Sequence, residues 1–347
     1  MPKKKGNSSA AAEPAPPTEP APLPPVDAHT ALIEQMLRDG ASLNKDAIRR
    51  ACRDAGLPHA LRGVVWQVLL DVWGRDDDTL FDANVPMDLK DQSVIHVDLE
   101  RTRTDEPTFA HKAARDEAAA LLTLYARARA RTVPSRVTMR NRYCKRRSVP
   151  YSQGLNEIVA PLFFIGVSRD VKFQLFYALV QRFFPLLFRG DNMRRHLDPL
   201  MHCLRMLLQG ANPRVTALTN CDTLGMYHDP QVVAMADQYS VHTELWALPW
   251  LFTIFASGVP VATVLHIWDL LLLCTDSAAP LYFACALVMS QRSSVLQCDP
   301  DALPLVLRNC LQKACVTCEA VNDVWTLAEG LMMSTPQTFK SALHKVL

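Results

Sequence analysis

The chain lacks the motifs by which the common nucleotide-using and hydrolytic enzymes are recognised. Its 347 residues contain no G-x-x-x-x-G-K-[ST] phosphate loop, no G-x-G-x-x-G turn, no H-E-x-x-H and no G-x-S-x-G. Each of those motifs supplies a phosphate cradle, a pair of zinc ligands or a nucleophile within one short segment. We therefore expect that any nucleotide chemistry involving this chain uses a nucleotide bound by another protein.

A strong net charge and an export signal are also lacking. The 37 basic and 35 acidic side chains leave a net charge of +2, so the whole molecule has no field that favours nucleic acid or a membrane as its main partner. The first lysines are not followed by an apolar segment, and Pro2 excludes the N-myristoylation pattern. We expect a cytoplasmic protein whose ten cysteines are reduced thiols.

A metal centre has little support in the sequence. Cys310, Cys315 and Cys318 have the C-x4-C-x2-C spacing that some iron–sulfur proteins use. The stretch around them predicts a helix without the glycines of a cluster-binding loop, and no second C-x-x-C occurs elsewhere in the chain. We therefore expect these cysteines to be small core residues and expect no metal.

Long apolar runs are limited to one stretch, Leu245 to Trp268, which contains no Asp, Glu, Lys or Arg. Its length is sufficient to span a bilayer. However, the segment 256–260 (ASGVP) divides it into two shorter pieces, and Pro249 and His266 lie inside it. Two buried helices joined by a tight turn are the favoured interpretation, and a membrane-spanning helix is the weaker alternative.

Alternating strand patterns are absent, and helical patterns predominate. Residues 1–26 are rich in Pro and Ala with almost nothing to bury, which predicts a disordered tail. From residue 27 onward, apolar residues recur at three- and four-residue steps in AIRRACRDAG, LRGVVWQVLLDVWG, DEAAALLTLYARA, LNEIVAPLFFIGV, DVKFQLFYALVQRFF, RRHLDPLMHCLRMLLQG and APLYFACALVMSQ. The sequence therefore predicts an all-α domain over residues 27–347, as one unit or as two packed helical subdomains.

Two short polar segments stand out against these helices. In the first, Asp98 and Arg101 are three residues apart, so on a helix they share a face and the carboxylate can hold the guanidinium. In the second, Gly154 allows close approach of the backbone, and Gln153 can orient a water molecule. An arginine and a glutamine are the two groups that GTP-hydrolysing switches need for fast turnover. The alternative interpretation is an ordinary surface pair and an ordinary helix cap.

Together and in this order, the two segments resemble the signatures of the TBC domain, the helical GTPase-activating module that acts on Rab GTPases. The I-x-x-D-x-x-R signature matches Ile95, Asp98 and Arg101, and the Y-x-Q signature matches Tyr151 and Gln153, followed by Gly154. AGLPHALRGVVWQVLL resembles the opening motif of the family, with Arg62 and Trp66, and WLFTIFASGVPVATVLHIWDLLL resembles a later one, ending near Trp268 and Asp269. The resemblance runs from about Ala55 to Leu273.

The resemblance implies a role for each matching residue. Arg101 would be an arginine finger and Gln153 a glutamine finger, Asp98 would position Arg101, and Tyr151 would place the loop that carries Gln153. Arg103 is a competing arginine, but the family pattern selects Arg101. For Arg62 the resemblance leaves open an internal pair or a contact with the partner, and we expect the internal pair.

The implied function is activation of a GTP-bound Rab in trans, which belongs to vesicle trafficking and intracellular protein transport. The chain would bind no nucleotide and need no cofactor of its own, because the partner carries GTP and Mg²⁺. It would thus supply catalytic residues without being an enzyme that converts its own substrate. The alternative is a catalytically silent protein that binds a GTPase or a membrane tether on the same helical surface.

The sequence departs from the family pattern at residues 127–147, where nine Arg or Lys occur without an acidic residue. A solvated or disordered segment is one interpretation. The others are contact with an acidic GTPase surface or with anionic lipid on endomembranes, through Arg140, Arg142, Lys145, Arg146 and Arg147. Nucleic acid is not expected, since Tyr143 is the one aromatic residue in the segment. Ser148 follows this segment, and its phosphorylation is predicted to weaken activation.

Overall fold

The computed structural model describes residues 28–38, 44–74, 86–132, 150–183, 193–209 and 229–346. Within these residues the secondary structure consists of α-helices and short 3₁₀ turns without a strand, as the sequence predicts. The predicted tail, the five basic residues from Arg140 to Arg147 and Ser148 lie outside the described residues. Their predicted roles therefore stay predictions.

The amino-terminal half consists of helices of very different length. They are α1 (Ala28–Arg38), α2 (Lys45–Ala55), α3 (Arg62–Leu69), α4 (Gln92–Arg101), α5 (Pro107–Ala110), α6 (Lys112–Thr132), α7 (Leu155–Val159), α8 (Arg169–Phe183) and α9 (Met193–Gln209). Helix α4 packs against α6, and both contact the short α7. This arrangement brings together the two polar segments that the sequence singles out.

The carboxy-terminal half supplies most of the buried core. Its helices are α10 (Pro230–Gln238), α11 (Glu244–Phe252), α12 (Val261–Leu273), α13 (Ala279–Ser290), α14 (Arg292–Leu296), α15 (Leu303–Arg308), α16 (Cys310–Ala314), α17 (Cys318–Ser334) and α18 (Gln337–Val346). In α13, residues 279–288 are all buried, and the helix packs along α17. A helix that is apolar on every side is expected at the centre of a core.

The apolar stretch Leu245 to Trp268 forms two helices, α11 and α12, joined by residues 253–260, which we call the 253–260 turn. This confirms the favoured interpretation of the sequence. Ile254 and Phe255 lie in this turn with positive φ angles of 48° and 60°, and both side chains are fully buried. In the part of the chain that the structure describes, no helix combines the length and the apolar character that crossing a bilayer requires.

Two predicted helices are interrupted in the structure. LNEIVAPLFFIGV begins as α7 but continues as a 3₁₀ turn over Ala160–Phe164, because Pro161 has no backbone N–H to donate. The stretch around Cys310, Cys315 and Cys318 is divided into α15, α16 and α17 instead of forming one helix. Thr317 begins α17 by accepting a hydrogen bond from the backbone N–H of Ala320 at 3.2 Å.

Candidate functional site

Arg101 is the last residue of α4, and its side chain is exposed. Ile95 and Leu99 on the opposite side of the helix are buried and hold α4 against the core. The Thr123 hydroxyl in α6, which donates to the Ala119 carbonyl oxygen at 2.7 Å, lies 3.1 Å from the Gln92 amide oxygen at the start of α4. A positive side chain at a helix C-terminus is favoured by the helix dipole. The fold thus presents the Arg101 guanidinium to solvent at the end of an anchored helix.

Gln153 lies in a tight turn directly before α7, and it is also exposed. The turn depends on Gly154, whose φ of 104° is rarely adopted by residues with a side chain. The Gly154 N–H donates to the side-chain oxygen of Asn156 at 2.9 Å. On its other side Gly154 faces the end of α11, where the carbonyl oxygen of Phe252 lies 3.6 Å from the position that a Cβ would occupy.

A hydrogen-bond network connects residues 98–103, the Arg101 segment, with residues 150–157, the Gln153 segment. The Tyr151 hydroxyl lies 3.0 Å from Asp98 Oδ2 and 3.1 Å from Asn156 Oδ1. Its single proton goes to the carboxylate, which is the stronger acceptor. Asn156 Nδ2 donates to Thr102 Oγ1 at 2.9 Å, and Thr102 Oγ1 donates to the Asp98 carbonyl oxygen at 2.7 Å. These bonds form a chain from Tyr151 through Asp98 and Thr102 to Asn156 across the junction of the two segments.

Burial disfavours the ionised form of the Tyr151 phenol in this network. Burial of Tyr151, together with the nearby Asp98 carboxylate, raises the pKa of the phenol above its ordinary value. Tyr151 is therefore protonated at neutral pH and can donate to Asp98. Because Thr102 is adjacent to Arg101 and Gly154 is adjacent to Gln153, the network fixes the backbone beside both predicted finger residues.

The direct contact predicted between Asp98 and Arg101 does not occur among the described residues. The Asp98 carboxylate is buried and accepts from Tyr151, which is 53 positions away in the sequence. Arg101 points to solvent instead. Asp98 thus acts on the Arg101 segment through the Tyr151 hydroxyl and the helix backbone, since its side of α4 faces the core.

Arg103 is a buried residue with its guanidinium turned into the protein. It is 7% exposed, its φ is +50°, and its terminal nitrogens donate to the carbonyl oxygens of Ala256 and Val259 in the 253–260 turn. Its Nε lies 3.9 Å from Glu157 Oε2. Burial lowers the pKa of Arg103, and the nearby Glu157 carboxylate opposes that shift. Arg103 is therefore unable to extend toward a partner as Arg101 can.

Arg62 lies in a separate, buried centre. Its Nε and Nη2 donate to both oxygens of Asp269 at 2.8–3.1 Å, and Trp66 Nε1 donates to the same carboxylate at 2.8 Å. Arg62 is 5% exposed and Asp269 is 3% exposed. Burial raises the pKa of Asp269, while the hydrogen bonds from Arg62 and Trp66 oppose the shift. Of the two roles left open for Arg62, the structure has the internal pair.

Sequence reasoning missed four residues. Thr102, Asn156 and Glu157 organise the junction of the two finger segments, and Asp269 is the partner of Arg62 in the buried centre. No common turn pattern pointed to Asn156, because an Asx turn bonds the backbone two residues after the Asn, whereas the Asn156 side chain accepts from Gly154, two residues before it. No local signal distinguished Glu157 from a solvated helix residue. The Cys310, Cys315 and Cys318 side chains belong to the core or its edge, and no cluster of metal-ligating residues occurs within the described ranges.

A family model described as the Rab-GTPase-TBC domain matches residues 59–296 of this chain. A TBC domain-containing protein kinase-like protein of Dictyostelium discoideum is 22% identical over 269 residues, covering 77% of this chain and 22% of that protein. The human protein of the same description is 23% identical over 146 residues, covering 42% of this chain and 14% of that protein. The chain thus spans less than a quarter of the length of these curated relatives.

Two solved structures are similar to the fold. The crystal structure of the Ypt/Rab-GAP domain of Gyp1p has a TM-score of 0.63 and 14% identity, covering 88% of this chain and 98% of that one. The Chlamydomonas flagellar RabGAP TBC domain has a TM-score of 0.60 and 18% identity, covering 88% of this chain and 92% of that one. These likenesses confirm the predicted all-α, TBC-type fold. Since the family model matches more than half of the sequence, this chain belongs to the Rab-GTPase-TBC domain family.

Proposed function

We propose that this domain accelerates GTP hydrolysis by a Rab-family GTPase in trans, with Arg101 and Gln153 as the arginine and glutamine fingers. The observation that carries the proposal is that the two segments bearing these side chains are connected by hydrogen bonds. Both side chains are exposed, and they extend from two segments that Tyr151, Asn156 and Thr102 join by hydrogen bonds. A partner that contacts one of these two side chains is therefore also close to the segment that carries the other.

The chemistry of the two side chains fits phosphoryl transfer. In the proposed complex, the Arg101 guanidinium spreads over the charge that develops on the transferred phosphoryl group, and the Gln153 carboxamide aligns the attacking water. An arginine supplied in trans is worth roughly a thousand- to a hundred-thousand-fold in rate, or about 4–7 kcal/mol of barrier. GTP and Mg²⁺ belong to the partner in this proposal, so the domain contributes side chains and no cofactor.

The surface of α4 beside Arg101 supports a protein as the partner. Val94 and Val97 are 48% and 44% exposed, and with Arg101 they follow the i, i+3, i+7 spacing of one helix face. A folded GTPase that receives Arg101 in its nucleotide site would cover this face, because the helix rises only about 10 Å from Val94 to Arg101. Burial of the two valines would then contribute to affinity.

Single-turnover GTP hydrolysis across a panel of GTP-loaded Rab proteins tests the proposal. The parent domain should accelerate at least one of them, and Arg101→Ala should reduce that acceleration by roughly a thousand-fold or more. Gln153→Ala should also lower the rate while binding of the GTP-bound Rab is retained. Arg38→Ala is a matched control, since Arg38 is likewise the exposed last residue of a helix, α1.

Three outcomes separate the proposal from its alternative. Loss of rate with retained binding in the Arg101 and Gln153 variants, and not in the Arg38 variant, supports catalysis in trans. Binding of a GTP-bound Rab without any acceleration would identify a silent scaffold instead. Acceleration that survives both finger substitutions would contradict the assignment of these two residues.

A further inference from the structure

We propose that Arg103 and Glu157 form a positioning pair that holds both finger segments on the 253–260 turn. Arg103 follows Arg101 by two residues, and Glu157 follows Gln153 by four. This inference rests on the proposed GTPase-activating function for its effect on rate. The contacts of the pair lie within this chain, so hydrogen exchange can test them without a GTPase.

The first step is that the direction of Arg101 depends on its backbone. No hydrogen bond or ion pair to the Arg101 guanidinium is recorded among the described residues, so its own side chain is not tied to the surface. The backbone after it turns sharply, because Thr102 is extended and Arg103 has a φ of +50°. A non-glycine residue keeps a positive φ only where its surroundings enforce it. Here the bonds of the Arg103 guanidinium enforce it.

The second step is that the 253–260 turn is a rigid support. Trp268 Nε1 donates to the Ile254 carbonyl oxygen at 2.7 Å, and the Phe255 N–H donates to the Trp250 carbonyl oxygen at 2.7 Å. The hydroxyl of Thr253 donates to the Pro249 carbonyl oxygen at 2.8 Å. These bonds anchor the turn to both helices that it joins.

The third step is that both finger segments rest on this support. Arg103 donates to the carbonyl oxygens of Ala256 and Val259 from the Arg101 segment. Gly154 of the Gln153 segment lies against Phe252 and Thr253, whose nearest atoms are 3.6 Å from its Cβ position. Each segment thus meets residues 252–259, the end of α11 and the turn that follows it, at a separate point.

The fourth step is that Glu157 links the two contacts. Its Oε2 lies 3.9 Å from Arg103 Nε, a buried donor that has no hydrogen-bond partner among the described residues. Burial raises the pKa of Glu157, and the Arg103 charge opposes that shift. Removing the carboxylate would leave the Arg103 cation buried with carbonyl oxygens as its only described acceptors. Only the Asp105 and Glu106 carboxylates would then offset the cost of burying that charge, which favours a rearrangement of the segment that carries it.

The test compares Glu157→Gln with Glu117→Gln in single-turnover hydrolysis. Both carboxylates are partly buried, at 21% and 29% side-chain exposure, and both face a cation, but Glu117 pairs with Lys172 between α6 and α8. We expect Glu157→Gln to lower the saturating rate about ten- to a hundred-fold, because misplaced reacting groups react more slowly. The half-saturating concentration of the Rab should change little. Glu117→Gln should leave the rate per folded molecule unchanged.

A double-variant cycle separates positioning from general destabilisation. Because the pair holds both segments, Glu157→Gln should cost less rate in the Gln153→Ala background, where one of the two positioned groups is already removed, than it costs in the parent domain. Fully additive losses would overturn the inference. Arg103→Lys, which retains the charge, should be less impaired than Arg103→Met. If Arg103→Met does not fold, the Glu157 variant, with its partly exposed side chain, still decides the question.

Hydrogen exchange provides the measurement that does not depend on activity. Amides of residues 98–103 and 151–157 should exchange faster in Glu157→Gln than in the parent domain, and those same amides should be unaffected by Glu117→Gln. Unchanged exchange would overturn the positioning pair even if the domain activates a GTPase. Faster exchange in a domain that activates no Rab would retain the pair and reject the proposed function.

Discussion

Arg62 and Arg101 both belong to predicted motifs of one family, but they lie in opposite surroundings. Arg62 is buried with its guanidinium paired to both oxygens of Asp269. Arg101 ends a helix at the surface and keeps its contact with water. An arginine that matches a family motif is therefore not by itself a functional group. Its solvent exposure decides whether it stabilises the fold or is available to a partner.

The physical reason is the cost of removing a charge from water. A buried guanidinium is tolerated when a carboxylate and further hydrogen bonds compensate for its lost hydration. In the Arg62 centre, Asp269 provides that compensation, and Trp66 donates a further hydrogen bond to the same carboxylate. For Arg101 the hydration is retained in the free domain, so in the proposed complex the partner's phosphate replaces water. Arg103 is buried like Arg62, although it is only two residues from Arg101.

The largest expected effect is on stability at the buried centre. Arg62→Met should lower the free energy of unfolding by about 3–5 kcal/mol, because it leaves the Asp269 carboxylate buried without its cation. Urea unfolding followed by circular dichroism measures the change. Arg101→Ala serves as the control and should alter stability by no more than about 0.5 kcal/mol. Equal losses in the free energy of unfolding for Arg62→Met and Arg101→Ala would contradict the distinction between the buried Arg62 and the exposed Arg101.

A smaller effect is expected at the junction of the two finger segments. Tyr151→Phe removes the hydroxyl that donates to Asp98 and should cost about 1–3 kcal/mol, since it leaves a buried carboxylate with one donor fewer. Thermal unfolding measures the stability, and single-turnover hydrolysis at a temperature where the variant is folded measures the rate. We expect the rate to fall as well. An unchanged rate would show that the junction serves folding alone, as the Arg62 centre does.

The smallest expected effect concerns the exposed face of α4. Val97→Asp should raise the half-saturating concentration of a responsive Rab about ten-fold, roughly 1.4 kcal/mol, while the saturating rate is retained. Val316→Asp is the matched control, because Val316 is 59% exposed in the break before α17. Titrations of the domain in the hydrolysis assay supply both parameters. Equal behaviour of the two variants would exclude this face from the contact.

The helical content and the central turn could be predicted from local patterns. Three- and four-residue spacing of apolar side chains predicted most helices, and residues 256–260 predicted the break between α11 and α12. The breaks at Pro161 and after Cys315 were missed because the apolar pattern continues through them. Local periodicity reports which face is buried, and it does not report where backbone hydrogen bonding changes register.

The residues of the candidate site could be predicted from the sequence, but the contacts between them could not. The motifs singled out Asp98, Arg101, Tyr151 and Gln153, and the structure brings their segments together. The partner of Asp98 was predicted wrongly, since Tyr151 takes the place assigned to Arg101. Contacts between positions more than fifty apart depend on how helices pack, and one sequence carries no local record of that packing.

The sequence by itself determined the helices, the apolar core and the side chains that are available for chemistry, because these follow from local periodicity and residue type. Tertiary structure alone decided which charges are buried. It placed Arg62 against Asp269, turned Arg103 into the 253–260 turn beside Glu157, and left Arg101 in solvent. The physical reason is that a charge is neutralised or exposed according to its neighbours in space, and those neighbours come from distant parts of the chain.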